Sequence, residues 1–209
     1  MINTILVEDD MYIRKHFEDM LAADGRFYIA AAVRDAFEAE KLCSRHIDLV
    51  LMDILTLHKH SGLAAGERIR KAFPQTKVVA MTSLVDPEVL NKARNGGADS
   101  LWYKDHGTEE ILDVIMRTLN GERIFPEHSP SVEMKDTMSG KFTPAQIEIL
   151  RCYILGYTYK EIAAKFNMSV NGVRWNIDEM VRKGGYLNKE ALMNAAIENK
   201  LVVTSLEDE

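Results

Sequence analysis

The apolar run Ile5-Leu6-Val7 ends in three consecutive carboxylates, Glu8, Asp9 and Asp10. Like charges packed together resist burial unless something compensates them. Asp53 closes a second apolar run, Thr82 a third and Lys104 a fourth. Carboxylates, a hydroxyl and an ammonium at four such ends are the parts of a phosphoryl-transfer centre, if the fold brings the ends together. A hard cation such as Mg²⁺ takes oxygen ligands from a few carboxylates and keeps waters and phosphate oxygens. The cation and a lysine then neutralise the equatorial oxygens while one carboxylate attacks phosphorus. The expected compensation for the acidic cluster is therefore Mg²⁺ together with Lys104.

The elements that must position these residues are legible as alternating patterns over 1–119. Short β-rich runs at 3–8, 27–33, 48–53, 77–82 and 100–104 are separated or followed by helical periodicity near 11–23, 35–45, 62–72, 87–95 and 108–119. Pro87 after Asp86 suits a helix start with an Asp N-cap, and Thr108 before Glu110 suits another. Near-continuous apolar strands alternating with amphipathic helices predict a five-stranded, doubly wound parallel sheet covered on both faces. In such sheets sites form beyond the carboxyl ends of the strands, where strand order reverses. If the first and third strands are neighbours, Glu8, Asp9, Asp53, Thr82 and Lys104 share one rim. Periodicity alone leaves an unrelated α/β domain open.

The chain has 209 residues, room for two domains. Residues 121–141 lose periodicity and gather Gly, Pro, Ser and charge, which reads as a linker after a first domain at 1–120. Residues 142–209 read as helices only, near 143–155, 158–166, 169–183 and 188–199, followed by the acidic tail Glu207, Asp208 and Glu209. Net charge is −6, which by itself argues against a nucleic-acid binder, but residues 142–209 are +2 once those three acids are set aside. No apolar run nears the roughly 20 residues of a membrane span, and Met1-Ile2-Asn3-Thr4 does not open like a signal peptide. Cys43 and Cys152 follow no metal spacing and are expected to be reduced and buried. A cytoplasmic protein without membrane association is expected.

Residues 1–120 resemble the receiver domain of two-component response regulators, with spacings of 44 from Asp9 to Asp53, 29 to Thr82 and 22 to Lys104. The resemblance implies a flavodoxin-like fold that phosphorylates its own Asp and is not otherwise an enzyme. It makes Glu8 and Asp9 the Mg²⁺-holding pair, Asp53 the phosphoacceptor and a metal ligand, and the Leu55 backbone carbonyl a further ligand. Thr82 is then the switch hydroxyl, Lys104 the conserved-type lysine, and a sensor histidine kinase the phosphoryl donor. Two departures stand out. The loop Leu57-His58-Lys59-His60-Ser61 is one residue longer than usual, with Gly62 nine beyond Asp53. The family's switch aromatic falls on Leu101, with Trp102 and Tyr103 after it.

Residues 142–203 resemble the helix-turn-helix domain of NarL/LuxR-type regulators. The resemblance rests on Lys160-Glu161-Ile162-Ala163, the turn Phe166-Asn167-Met168-Ser169, Val173-Arg174 and the closing Leu201-Val202. It implies double-stranded DNA as partner and a homodimer on paired half-sites. Lys160, Arg174, Arg182 and Lys183 are expected at phosphates and Asn171 and Asn176 at base edges, with Trp175 either core or groove contact. Asp178 and Glu179 lie on the same helix and keep open a bundle that docks protein instead. The altered loop after Asp53 keeps open a regulator that acts without phosphorylation.

Overall fold

The computed structural model describes residues 1–106 and 109–204, so the Thr108 cap and the acidic tail lie outside the described residues. The described chain divides into two compact units. One comprises Met1–Ser83 and Glu88–Glu127, and the other Leu84–Pro87 and His128–Thr204.

In the first unit the strands are β1 (Ile2–Val7), β2 (Phe27–Val33), β3 (Leu49–Asp53), β4 (Lys77–Thr82) and β5 (Ser100–Tyr103). All pair in parallel in the order β2-β1-β3-β4-β5. The first and third strands are thus neighbours and the strand order reverses at β1, as a site at that rim requires. Every residue of β3 is buried, which explains its reading as a continuous apolar run and not an alternating one. Helices α1 (Met11–Asp24), α2 (Ala36–Leu42), α3 (Gly62–Ala72), α4 (Pro87–Lys92) and α5 (Ile111–Leu119) connect or follow the strands. Phe17 and Leu21 of α1 and Ile111, Val114 and Ile115 of α5 pack with Leu6, Leu51, Val79 and Met81 in one core. The helical pattern read to residue 95 ends earlier, because the chain widens into a π turn at Ala93–Gly97 around Gly96 and Gly97.

The second unit holds α6 (Pro144–Ile154), α7 (Tyr159–Lys165), α8 (Val170–Gly184) and α9 (Lys189–Glu198). Their starts are sequence-encoded: capping boxes at Thr143/Gln146 and Thr158/Glu161, and Ser169 and Asn188 as N-caps. The α7–α8 turn places Asn167 at φ 49°, a left-handed conformation Asn tolerates. Ile149, Cys152, Ile162, Val173 and Ile177 form one core and Phe142, Ile147, Leu150, Met180 and Leu192 another. Within the stretch read as linker, β6 (Glu133–Met134) and β7 (Thr137–Met138) pair as an antiparallel hairpin. Met134 is buried in the second core, and Lys135 Nζ donates to the Gly185 carbonyl at 2.8 Å. Two-residue strands are too short to show a period, which is why this hairpin is silent in the sequence.

Both cysteines are buried free thiols. Among the described residues no helix is long and apolar enough to cross a membrane.

Candidate phosphoacceptor site and helix-turn-helix face

Glu8 follows β1 directly, and its backbone N–H donates to Val33 O at 3.0 Å, extending the pairing by one step. Arg14 from α1 donates to the Glu8 carbonyl at 2.8 Å, and the Asp10 N–H donates to Glu8 Oε1 at 3.2 Å. Asp53 ends β3, Thr82 ends β4 fully buried, and the Lys104 N–H donates to Thr82 O at 2.8 Å. The Lys104 ammonium then lies 2.6 Å from Glu8 Oε2 and 2.9 Å from Asp53 Oδ2. One cation thus holds two buried carboxylates, as the opening run of acids required.

Glu8, Asp9 and Asp53 each offer a carboxylate oxygen, and these oxygens all lie within 4.8 Å of one another. Three hard, anionic oxygens with Asp9 partly exposed to solvent suit a hard divalent cation. Burial pushes the Asp53 carboxyl up to about 7; Lys104 opposes this and Glu8 adds to it. Burial pulls Lys104 down, but Asp53 and Glu8 outweigh it and its net shift is upward.

The longer loop after Asp53 is tied down. His58 and Lys59 adopt left-handed φ values of 61° and 64°. His60 Nδ1 lies 2.8 Å from Oδ2 of Asp35, which also caps α2 at the Phe37 N–H. The Thr56 hydroxyl donates to His60 O at 2.9 Å and accepts from the Ala36 N–H at 3.1 Å. His58 and His60 belong to no metal-ligand cluster among the described residues. Leu55 is half-buried and bridges to Ser61. At the position of the switch aromatic, Leu101 is core. The Trp102 indole N–H donates to Glu109 O at 2.9 Å, with its ring edge-on to Phe17.

On α8 the structure sorts the sequence candidates by face. At about 100° per residue, Asn171, Arg174, Trp175, Asp178 and Arg182 form one outward stripe, and all five are exposed. Val173, Ile177, Met180 and Gly184 are buried on the opposite side. Asn176 lies off the stripe, half-buried, donating its amide to Gly172 O at 2.9 Å, so it is not brought to the face where base contacts were expected. Trp175, at 62% exposure, is not core. Arg182 makes two hydrogen bonds to Glu179, at 2.9 and 2.7 Å, and Lys183 lies 3.7 Å from the same carboxylate. Lys160 is exposed on α7, and Arg174 sits 5.9 Å from the Tyr159 ring centroid.

Residues 4–124 match the family described as the response regulator receiver domain. The chain belongs to that family. The response regulator VraR of Staphylococcus saprophyticus is 26% identical over 189 residues, covering 87% of this chain and 90% of VraR. RcsB of Salmonella enterica serovar Typhimurium, solved bound to the rprA promoter with the phosphomimetic BeF3⁻, matches with TM-score 0.59 and 19% identity. That match covers 93% of this chain and 98% of RcsB. A LuxR-family response regulator from Aurantimonas sp. SI85-9A1 matches with TM-score 0.54 and 24% identity over 61% of this chain and 89% of its own.

Some residues that shape the receiver site escaped sequence reasoning. Asp10 caps α1, accepting from the Tyr12 and Ile13 N–H groups at 2.8 and 3.0 Å. The signal was present, an Asp just before the helical period. The Asp35–His60 pair spans 25 residues, and nothing local announces it.

Proposed function

We propose that this response regulator is a phosphorylation-regulated DNA-binding transcriptional regulator of a two-component system. Asp53 accepts a phosphoryl group from a sensor histidine kinase. The observation that carries the reading is the Lys104 ammonium held between Asp53 and Glu8, in a chain that also has a helix-turn-helix with an exposed, partly basic stripe.

An Asp53 carboxylate oxygen attacks phosphorus, the bond to the kinase's histidine nitrogen breaks, and that nitrogen keeps the electron pair. Lys104 holds the carboxylate in place before transfer and meets the phosphoryl oxygens after it. Glu8, Asp9, Asp53 and the Leu55 carbonyl would hold Mg²⁺, which supplies positive charge to those oxygens when bound. Thr82, buried one strand away, is the hydroxyl suited to sense the new group. The test is binding of random duplexes with and without a small phosphodonor. Tighter binding after phosphorylation supports the reading, and equal weak binding in both states overturns it.

The raised Asp53 pKa gives a pH dependence with a definite sign. An unfolded Asp ionises near ~3.9 and this one near about 7. The folded state therefore binds the extra proton between those values, and the group's contribution to stability falls as pH rises through that window. Mg²⁺ needs the ionised form. It is expected to raise Tm more at pH 8 than at pH 6 and to release protons on binding near pH 7. A Tm increment independent of pH would detach Asp53 from the cation site.

On DNA, each phosphate contact removed lowers the slope of log K against log salt by about one unit. Lys160→Ala and Arg174→Ala are each expected to do so. Arg182 and Lys183 are shared with Glu179, so Glu179→Gln is expected to strengthen binding at low salt. Unchanged slopes and affinity would turn this face away from phosphates. A homodimer would leave a footprint over two half-sites.

A further inference from the structure

The outward stripe of α8 is unusual in its chemistry. At its centre stand an indole that is 62% exposed and, three residues on, the exposed Asp178 carboxylate. Asp178 meets no cation among the described residues. Arg174 and Arg182 stand on the same stripe, one helical turn to either side of Asp178, and Arg182 is held by Glu179. Lys160, Lys165, Arg174 and Lys189 pair with no carboxylate among the described residues. Lys189 Nζ lies 5.1 Å from the Tyr153 ring centroid and 5.5 Å from that of Tyr159, and Arg174 lies against the same Tyr159 ring.

The stripe thus offers phosphate an arginine on either side, and between them a ring and a carboxylate that suit other groups. A duplex satisfies both demands at once. Its backbone carries the phosphates, and between them the major groove presents neutral base edges with methyl groups and N–H donors. An apolar ring there finds the C5-methyl of thymine, and a carboxylate finds the exocyclic amine of cytosine. Asn176, tied to Gly172 O, does not compete for those edges. Resting on the reading of this unit as a DNA binder, we propose that Trp175 and Asp178 determine its sequence specificity. Trp175 packs on a thymine methyl, and Asp178 accepts a hydrogen bond from the amine of a cytosine in the same half-site.

The experiment uses the full chain. Wild type is first used to enrich duplexes from a random pool. Each thymine of the enriched motif is then replaced by deoxyuridine, which removes only the C5-methyl. At one position per half-site wild type is expected to lose roughly fivefold or more in affinity. Trp175→Ala, with unchanged thermal unfolding, should bind the thymine and uracil duplexes alike. Asp178→Asn should relax the preference for cytosine at the neighbouring pair. If wild type enriches a motif but no uracil replacement matters, or Trp175→Ala keeps the same penalty, the assignment falls while DNA binding stands. If no duplex is enriched in either phosphorylation state, DNA binding falls too and the stripe belongs to a protein partner.

Discussion

Acetyl phosphate with Mg²⁺ is expected to add one phosphoryl group to the wild-type chain, and Asp53→Asn is expected to carry none. Asp53 ends a fully buried strand, so its carboxylate has few ways to move, and its charge is held by one ammonium at 2.9 Å. Asparagine keeps the shape and removes the nucleophile. Lys104→Ala should also suppress the reaction while costing stability of about 3–5 kcal/mol, because Glu8 and Asp53 are then buried without their cation. Each tenfold loss of rate corresponds to about 1.4 kcal/mol of barrier. Intact mass and phosphorylation rate, with and without chelator, decide the matter. A phosphoryl group on Asp53→Asn, or equal rates in excess chelator, would place the chemistry elsewhere.

Gly62→Ala is expected to damage the same site without touching a charged group. A Cβ at position 62 would lie 2.0 Å from the Asp53 carbonyl oxygen and 2.9 Å from Met52 Cγ. Neither neighbour can yield easily: the first is backbone of a strand buried on all sides, and the second is fully buried. The Gly62 N–H also donates to Ile54 O at 2.9 Å, which holds the loop closed against β3. Overpacking of this kind costs roughly 1–3 kcal/mol, and more when backbone must move. A loss of about 3 kcal/mol would lower Tm by roughly 10 °C in a unit of this size. Phosphorylation should slow as well, since relief of the clash moves Asp53. A Tm within about 2 °C of wild type would mean that the longer loop absorbs the methyl group.

The parallel sheet was legible because buried strands leave continuous apolar runs, and four of its ends carried charge or hydroxyl that a core does not tolerate unpaired. That logic put the strand ends at Glu8, Asp53, Thr82 and Lys104 on one rim, where the Lys104 ammonium meets Glu8 and Asp53. Helix starts were legible near 143, 158 and 169, where Thr143, Thr158 and Ser169 cap their own helices. Pairings between segments were not. His60 finds Asp35 only after β2 and β3 are in place, so the loop after Asp53 was legible only as one residue longer than usual. Asn176 looked like a reader of bases because composition does not tell which side of α8 a residue takes. The angular position beside the buried Val173 and Ile177, and an amide bonded inside its own helix, decide that.

The hairpin at 133–138 sets where this chain can be cut and rejoined. Met134 fills the core shared by Phe142, Ile147 and Met180, and Lys135 reaches back to the end of α8. A helical module transplanted from residue 142 onward would leave that core open on one side. The natural seam for exchange therefore lies before Val132. Any recombination that gives this helix-turn-helix a new receiver must carry the hairpin with it.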